Sequence, residues 1–271
     1  MVAEVRKREF RAETYWGRPV PGWGDPDARL LIVGLAPAAH GANRTGRMFT
    51  GDSSGAWLYE ALHRYGFASA PASTSRTDDL RLLGCYISAS ARCAPPDNKP
   101  TREEMQACSP FLAAELELLR EVRVVMVLGR IAWERYLRAA TWWTRLSPAN
   151  RPAFAHGAEA VLPDGTLLVS SFHPSRQNTN TGRLTRAMWY AVFARARKLV
   201  DTEPAADGPD RPDRRGHVDR GHAHEKNRRG RVRGGLFESV PAAIMSPTAS
   251  HPPPPASPSP PPGAFPPHPA R

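Results

Sequence analysis

The sequence has 271 residues, a net charge of +11, 41% hydrophobic residues and three cysteines. No apolar run is long enough to cross a bilayer and the N-terminus lacks a signal-peptide pattern, so a cytoplasmic location is expected. Cys85, Cys93 and Cys108 cannot all pair with one another, which fits a reducing compartment holding thiols or a metal site.

The first 29 residues open on Arg6-Lys7-Arg8 and run into Tyr15-Trp16-Gly17-Arg18-Pro19-Val20-Pro21-Gly22-Trp23, too aromatic for a bare linker. An irregular segment packed on a sheet edge, or lining a site entrance, is predicted. Leu30-Leu31-Ile32-Val33 reads as a buried strand. It breaks into a small-residue loop reaching Asp52, and a helix follows over Gly55 to Tyr65. In open α/β sheets ligands bind in such loops at the carboxyl ends of strands. After a polar loop from Ala68 to Asp79, Leu80 to Ala91 reads as a second strand. It leads into Arg92-Cys93-Ala94-Pro95-Pro96-Asp97-Asn98-Lys99-Pro100, where three prolines forbid regular structure. Thr101 and Glu104 form a capping box for a helix reaching about Arg120. Arg123 to Gly129 is a strand leading directly into a helix over Ile131 to Arg138, and Trp142 to Arg151 is an irregular loop. Leu167 to Ser170 is a fourth strand, a polar loop covers 171–183, and a last helix spans Leu184 to Leu199. This alternation predicts an α/β domain over 1–203, with a parallel sheet and helices on both faces.

Beyond Glu203 the composition changes. Sixteen of the 29 prolines fall there, with an Arg/His/Gly stretch and a Pro-rich end. Such a segment cannot bury enough apolar surface to offset chain entropy, so 204–271 is predicted to be a disordered tail. Its 10 Lys and Arg against 6 Asp and Glu supply only +4 of the +11, and the domain itself is basic. A basic body suits a polyanion partner; the plainer alternative is an Arg-rich proteome.

Three loops, 34–52, 92–100 and 171–183, leave strand ends and should converge. Phe49 is the one large flat side chain of the first and Asp52 its only carboxylate. The third carries His173, Ser175, Arg176, Gln177, Asn178, Thr179, Asn180, Thr181 and Arg183, a density of donors that phosphates and base edges would use. Taken singly, each feature has a plain alternative: a Gly-rich turn, a polar loop, a structural histidine. Cys93 and Cys108 are too few for a complete zinc or iron–sulfur site, and Cys85 reads as core.

Together, GLAPAAHGANRTGRMFTGD (Gly34 to Asp52), RCAPPDNKPT (Arg92 to Thr101), LGRIAWE (Leu128 to Glu134), HPSRQNTNTGRLT (His173 to Thr185) and YWGRPVPGWGDP (Tyr15 to Pro26) resemble the type-5, UDGb-like uracil-DNA glycosylases. The resemblance runs from about residue 3 to about residue 200. It implies a three-layer α/β/α fold with a four-stranded parallel central sheet. It also implies a monofunctional DNA repair glycosylase that hydrolyses the N-glycosidic bond of uracil, and of other deaminated bases such as hypoxanthine, leaving an abasic site. The partner is then DNA containing deaminated bases, with no membrane, and the protein a monomer. By resemblance Phe49 stacks on the flipped base, and Ala39, His40 and Gly41 line the pocket. His173 faces the base O2, and Asp52 and Asn98 assist hydrolysis. Ser175, Arg176, Gln177, Asn178 and Arg183 meet the duplex. Where many uracil-DNA glycosylases carry Asp or Asn, this sequence has Ala38-Ala39. The family's [4Fe–4S] cluster takes four cysteines, of which Cys93 and Cys108 match one pair and Cys85 matches none. Two of the four ligands are absent from this sequence: either the start lies further upstream, which is the expectation, or the cluster has been lost. The alternative to an enzyme is a catalytically impaired damaged-DNA-binding protein of the same fold. A general nucleotide-binding domain is disfavoured by the lack of a GxGxxG or Walker-type loop.

Overall fold

The computed structural model describes residues 6–202, and the predicted tail at 204–271 lies outside them. Six strands form one mixed sheet: β1 (Trp23–Gly24), β2 (Leu30–Gly34), β3 (Cys85–Ala89), β4 (Val124–Leu128), β5 (Glu159–Val161) and β6 (Leu167–Ser171). Their order is β1-β3-β2-β4-β6-β5. The inner neighbours β3/β2, β2/β4 and β4/β6 pair in parallel, with Ile32 opposite both Ile87 and Met126. β1 and β5 add antiparallel edges. The sheet therefore has six strands of mixed direction, in which the four inner strands are parallel and the two antiparallel edges were not read from the sequence. Edges of two and three residues are too short to show a period of two in the sequence.

Alternation along the strands sorts the apolar side chains into two cores. Leu30, Ile32, Ile87, Val124, Met126 and Val169 pack with Leu58, Tyr59 and Leu62 of α2 (Ser53–Arg64) and with Trp189, Val192, Phe193 and Ala196 of α7 (Arg186–Asp201). Leu31, Val33, Val125, Val127 and Leu168 pack with Leu112 of α3 (Arg102–Leu118) and Ala132, Trp133, Tyr136 and Leu137 of α4 (Arg130–Ala139). Because both faces are covered, β2 and β4 are buried along their whole length, as parallel central strands are.

Caps fix where helices begin. Thr101 accepts from the Glu104 N–H at 3.1 Å while the Glu104 carboxylate accepts from the Thr101 N–H at 2.7 Å, closing the predicted box. Thr185 caps α7 through the Met188 N–H. Three expectations change. The second strand begins at Cys85, not Leu80, because Gly84 at φ +59° turns the chain. The 142–151 segment holds α5 (Trp142–Arg145) and a short 3-10 turn, Pro148–Asn150, with Trp142 buried in the second core. The 171–183 loop contains α6 (Arg176–Asn180), capped by the Ser175 hydroxyl, which accepts from the Asn178 N–H.

The N-terminal segment packs on the sheet edge, the first of the two placements expected of it. β1 closes the sheet edge against β3, and the stretch before it lies along the first loop, where the Trp16 and Gly17 amides donate to the Arg44 and Asn43 carbonyls. α1 (Ala42–Thr45) is a single turn inside that loop, ended by Gly46 at φ +78°.

Candidate active site

The first loop leaves β2 at Gly34 and returns the chain as Phe49, whose ring lies on that glycine. A Cβ on Gly34 would come within 2.8 Å of the Phe49 Cζ. Phe49 sits at φ +56°, in the left-handed region that a bulky residue enters at a cost of about 1–3 kcal/mol. Its carbonyl oxygen is pressed on Gly55, where a Cβ would meet it at 1.6 Å. The conformation is thus set from two sides by residues without side chains. Substituting Gly34 by alanine should displace the ring while leaving the sheet intact. We expect a folded protein, checked by circular dichroism, with weakened substrate binding read as a raised KM.

Asp52 caps α2, its Oδ1 accepting from the Gly55 N–H at 2.9 Å. Its other oxygen, Oδ2, lies against Gly41, where a Cβ would stand 2.1 Å away. One oxygen is fixed by the helix and the other faces the loop, which only a glycine at position 41 allows.

His173 follows β6 by two residues. The Asn178 side chain donates to its carbonyl at 2.9 Å, locking the backbone that carries the imidazole. The Phe49 and His173 rings are stacked, 6.0 Å apart between centroids and inclined by 29°. Among the described residues the His173 ring nitrogens have no hydrogen-bond partner. Part of the ring surface is open, yet protein atoms surround it densely. That burial holds its pKa below the ordinary histidine value, against a smaller upward pull from the Asp52 carboxylate. Imidazole is therefore the form present at neutral pH.

A sign follows for pH. Burial lowers the pKa of His40 and His156 as it does that of His173. Each then contributes stability that is full above the unfolded histidine pKa of about 6.5 and is lost as pH falls through the folded value. Melting temperature should fall on acidification from pH 7. Turnover should not rise between pH 7 and 6, as it would if the imidazolium form of His173 were the active one; melting curves and a pH–rate profile check both.

The structure brings Phe49, Asp52, Gly41 and His173 close together at the carboxyl ends of β2 and β6. It does not tie Asn98 to them: that residue is exposed, at φ +57° in the turn Pro96–Asn98, and among the described residues no hydrogen bond or ring contact joins it to those four. His40 points its ring toward Tyr15, whose hydroxyl lies 2.9 Å from His40 Nδ1, while its carbonyl accepts from Arg44 Nε at 2.8 Å. Ala39 offers its carbonyl to Asn43. Arg176 and Gln177 are exposed on α6, and the exposed Arg183 guanidinium lies 4.8 Å from the Phe172 ring centroid. The inward use of Asn178 and the Tyr15–His40 contact were not read from the sequence. A Ser-x-x-Asn spacing at 175–178 was the available signal for the first.

Cys93 is exposed and Cys108 partly buried, and the Cys108 sulfur accepts from the Arg92 N–H at 3.4 Å. Local burial, then the neighbouring Cys108 and Glu104, push the Cys93 thiol above its ordinary pKa. The two sulfurs are thus neighbours with an amide donor of the kind iron–sulfur sites use. Among the described residues, however, no group of three or more His, Cys, Asp or Glu side chains is placed to hold a metal. Two thiols are half of what a four-cysteine cluster takes, so the described residues do not by themselves fit one.

A sheet that carries an aromatic ring, a neutral histidine and a helix-capping carboxylate at the carboxyl ends of β2 and β6 places them where open α/β folds bind their ligands. The sequence pattern described as the uracil DNA glycosylase superfamily matches residues 21–197. The chain is 57% identical over 195 residues to a type-5 uracil-DNA glycosylase of Thermus thermophilus, covering 72% of this chain and 86% of that protein. It is 52% identical over 200 residues to a type-5 uracil-DNA glycosylase of Mycobacterium leprae (73% and 86% covered). It is 47% identical over 189 residues to one of Pyrobaculum aerophilum (70% and 80% covered). This chain belongs to the uracil-DNA glycosylase superfamily, in its type-5 branch.

Proposed function

We propose that the protein is a monofunctional glycosylase that excises uracil from DNA, leaving an abasic site for base excision repair. The observation that carries this reading is the strained Phe49 platform, set on Gly34 and facing a neutral His173 6.0 Å away. A base inside a duplex is out of reach and must be turned out of the stack. An aromatic face then returns about 1–3 kcal/mol of stacking.

In the reaction the bond between the base nitrogen and C1′ of the deoxyribose breaks, and its electron pair leaves with uracil. Water supplies the hydroxyl that C1′ gains and the proton that the base finally takes. Negative charge grows on uracil O2, where a neutral His173 N–H donates without carrying a charge of its own. Positive charge grows on the sugar, where the free oxygen of Asp52 can stabilise it or orient the water. Ala38-Ala39 leaves no carboxylate at the first turn of the loop, and a largely dissociative path makes little demand for one. Ala39, His40 and Gly41 supply backbone walls to the pocket, and Asn98 joins it once DNA orders the exposed turn. Ser175, Arg176, Gln177, Asn178 and Arg183 form the edge that meets the duplex, with Asn178 also holding His173.

The finer points belong to the same proposal. The catalytic domain spans 1–203, and 204–271 is a basic, Pro-rich tail. Other deaminated bases such as hypoxanthine are accepted, and the protein acts as a cytoplasmic monomer. No helix among the described residues is long and apolar enough to cross a membrane. No step is routed through a metal cluster. The test is a duplex with one uracil, scored for alkali-sensitive strand breaks. Tight, damage-selective binding with the uracil retained would instead support a damage-binding protein.

A further inference from the structure

The polar segment from Ser73 to Leu80 has no part in the chemistry above, yet it holds the chain on both sides of Phe49. On one side the Arg47 side chain is only 8% exposed. Its NH1 donates to the Ser73 Oγ at 3.0 Å and to the Asp78 carboxylate, and its NH2 donates to the Arg76 carbonyl at 2.7 Å. The guanidinium lies 4.3 Å from the Trp23 ring centroid. On the other side the fully buried Thr50 places its Oγ1 2.8 Å from the same Ser73 Oγ.

Asp78 organises this segment. Its Oδ2 accepts from the Thr74 N–H at 2.8 Å, the Ser75 N–H at 3.2 Å and the Ser73 hydroxyl at 3.2 Å, and its Oδ1 accepts from the Leu80 N–H at 3.2 Å. A hydroxyl has one proton to give and two lone pairs to receive. Ser73 therefore gives its proton to Asp78 and accepts from both Arg47 and Thr50. One oxygen atom is thus bonded to the residues two before and one after Phe49. The Met48 carbonyl accepts from the Tyr59 hydroxyl at 2.7 Å, and the Thr50 hydroxyl lies farther from it, at 3.4 Å, than from Ser73.

A bulky residue stays in the left-handed region only where its surroundings over-determine it. We propose that Arg47, Ser73 and Asp78 are positioning residues for the base platform: through Thr50 and the 47–50 backbone they keep Phe49 at its strained angle, and so set how tightly a flipped uracil is stacked. This rests on the reading of Phe49 as that platform.

The test is a double-mutant cycle on the full chain with a single-uracil duplex. Ser73→Ala deletes the shared oxygen and no charge. It should raise KM about tenfold with a smaller change in kcat, and the increase should vanish in a Phe49→Ala background. Ser73→Thr, which keeps the hydroxyl, should restore KM. Arg47→Lys, which keeps the charge but gathers its donors on one nitrogen and loses the planar fork that reaches Ser73, Asp78 and the Arg76 carbonyl, should behave as Ser73→Ala. Melting temperatures identify any variant that fails to fold; in that event Ser73→Thr against wild type decides, and a raised KM in Ser73→Thr would count against the shared hydroxyl. An unchanged KM in a folded Ser73→Ala protein, or an increase that persists undiminished without the Phe49 ring, would overturn the inference while leaving the platform in place. If Phe49→Ala itself left KM unchanged, the platform and the inference would fall together.

Discussion

His173→Ala should slow uracil release by about 10²–10³-fold, the loss typical of removing one preorganised donor from a developing oxyanion, while binding of an abasic-site duplex stays within a few-fold of wild type. The two readouts separate because the imidazole has no protein hydrogen-bond partner among the described residues, so its removal leaves no buried group unsatisfied. The backbone that carries it is held independently, through the Asn178 amide on the His173 carbonyl. Single-turnover kinetics against an equilibrium binding curve is the measurement. Equal losses in both would assign the ring to DNA contact rather than to the leaving base. His173→Gln, which keeps a donor, should recover part of the rate.

The second large effect concerns the fold. Arg92, at 6% side-chain exposure, is paired with Glu115 at 2.5 Å across the base of the second loop. Glu115 also accepts from the Ser88 hydroxyl at 2.5 Å and the Tyr86 hydroxyl at 3.3 Å, and its Oε1 would meet a Cβ at Gly22 at 2.3 Å. Strand β3, helix α3 and the N-terminal segment therefore meet on one carboxylate. Removing it with Glu115→Ala strands a buried guanidinium whose NH1 already has no partner among the described residues. Breaking one side of such a pair costs about 3–5 kcal/mol. For a domain of this size that is a drop in melting temperature of about 10 °C, readable by calorimetry. An Arg92→Met, Glu115→Leu double substitution should recover much of it, since a well-packed apolar pair of similar volume is often as stable.

What was legible in the sequence follows from the range of each signal. The Leu30 to Val33 and Arg123 to Gly129 strands are continuous apolar runs, and Thr101 with Glu104 is a local box; each is decided by residues within a few positions of each other. Phe49, Asp52, Gly41 and His173 could be named together only through long motifs and their resemblance, since no spacing rule joins residue 52 to residue 173. The edge strands escaped because β1 and β5 are defined by partners and not by periodicity. The support of Phe49 escaped for a related reason. Ser73 and Asp78 look like ordinary turn residues, and only folding puts them beside Arg47 and Thr50. Asn98 shows the opposite limit: its motif suggests the site, but on its exposed turn it makes no hydrogen bond to the site among the described residues.

The short outer strands have a consequence for how many such molecules could crowd along one DNA. An open sheet can zip onto another through its unpaired rim and polymerise. Here one rim, β1, offers two residues and the other, β5, three, and on β5 Glu159 is clamped by Nε and Nη2 of Arg195 at 2.7 and 2.8 Å. Among the described residues neither rim is long enough to template a neighbour's strand, so even closely spaced copies of this domain find little backbone along which to form fibres.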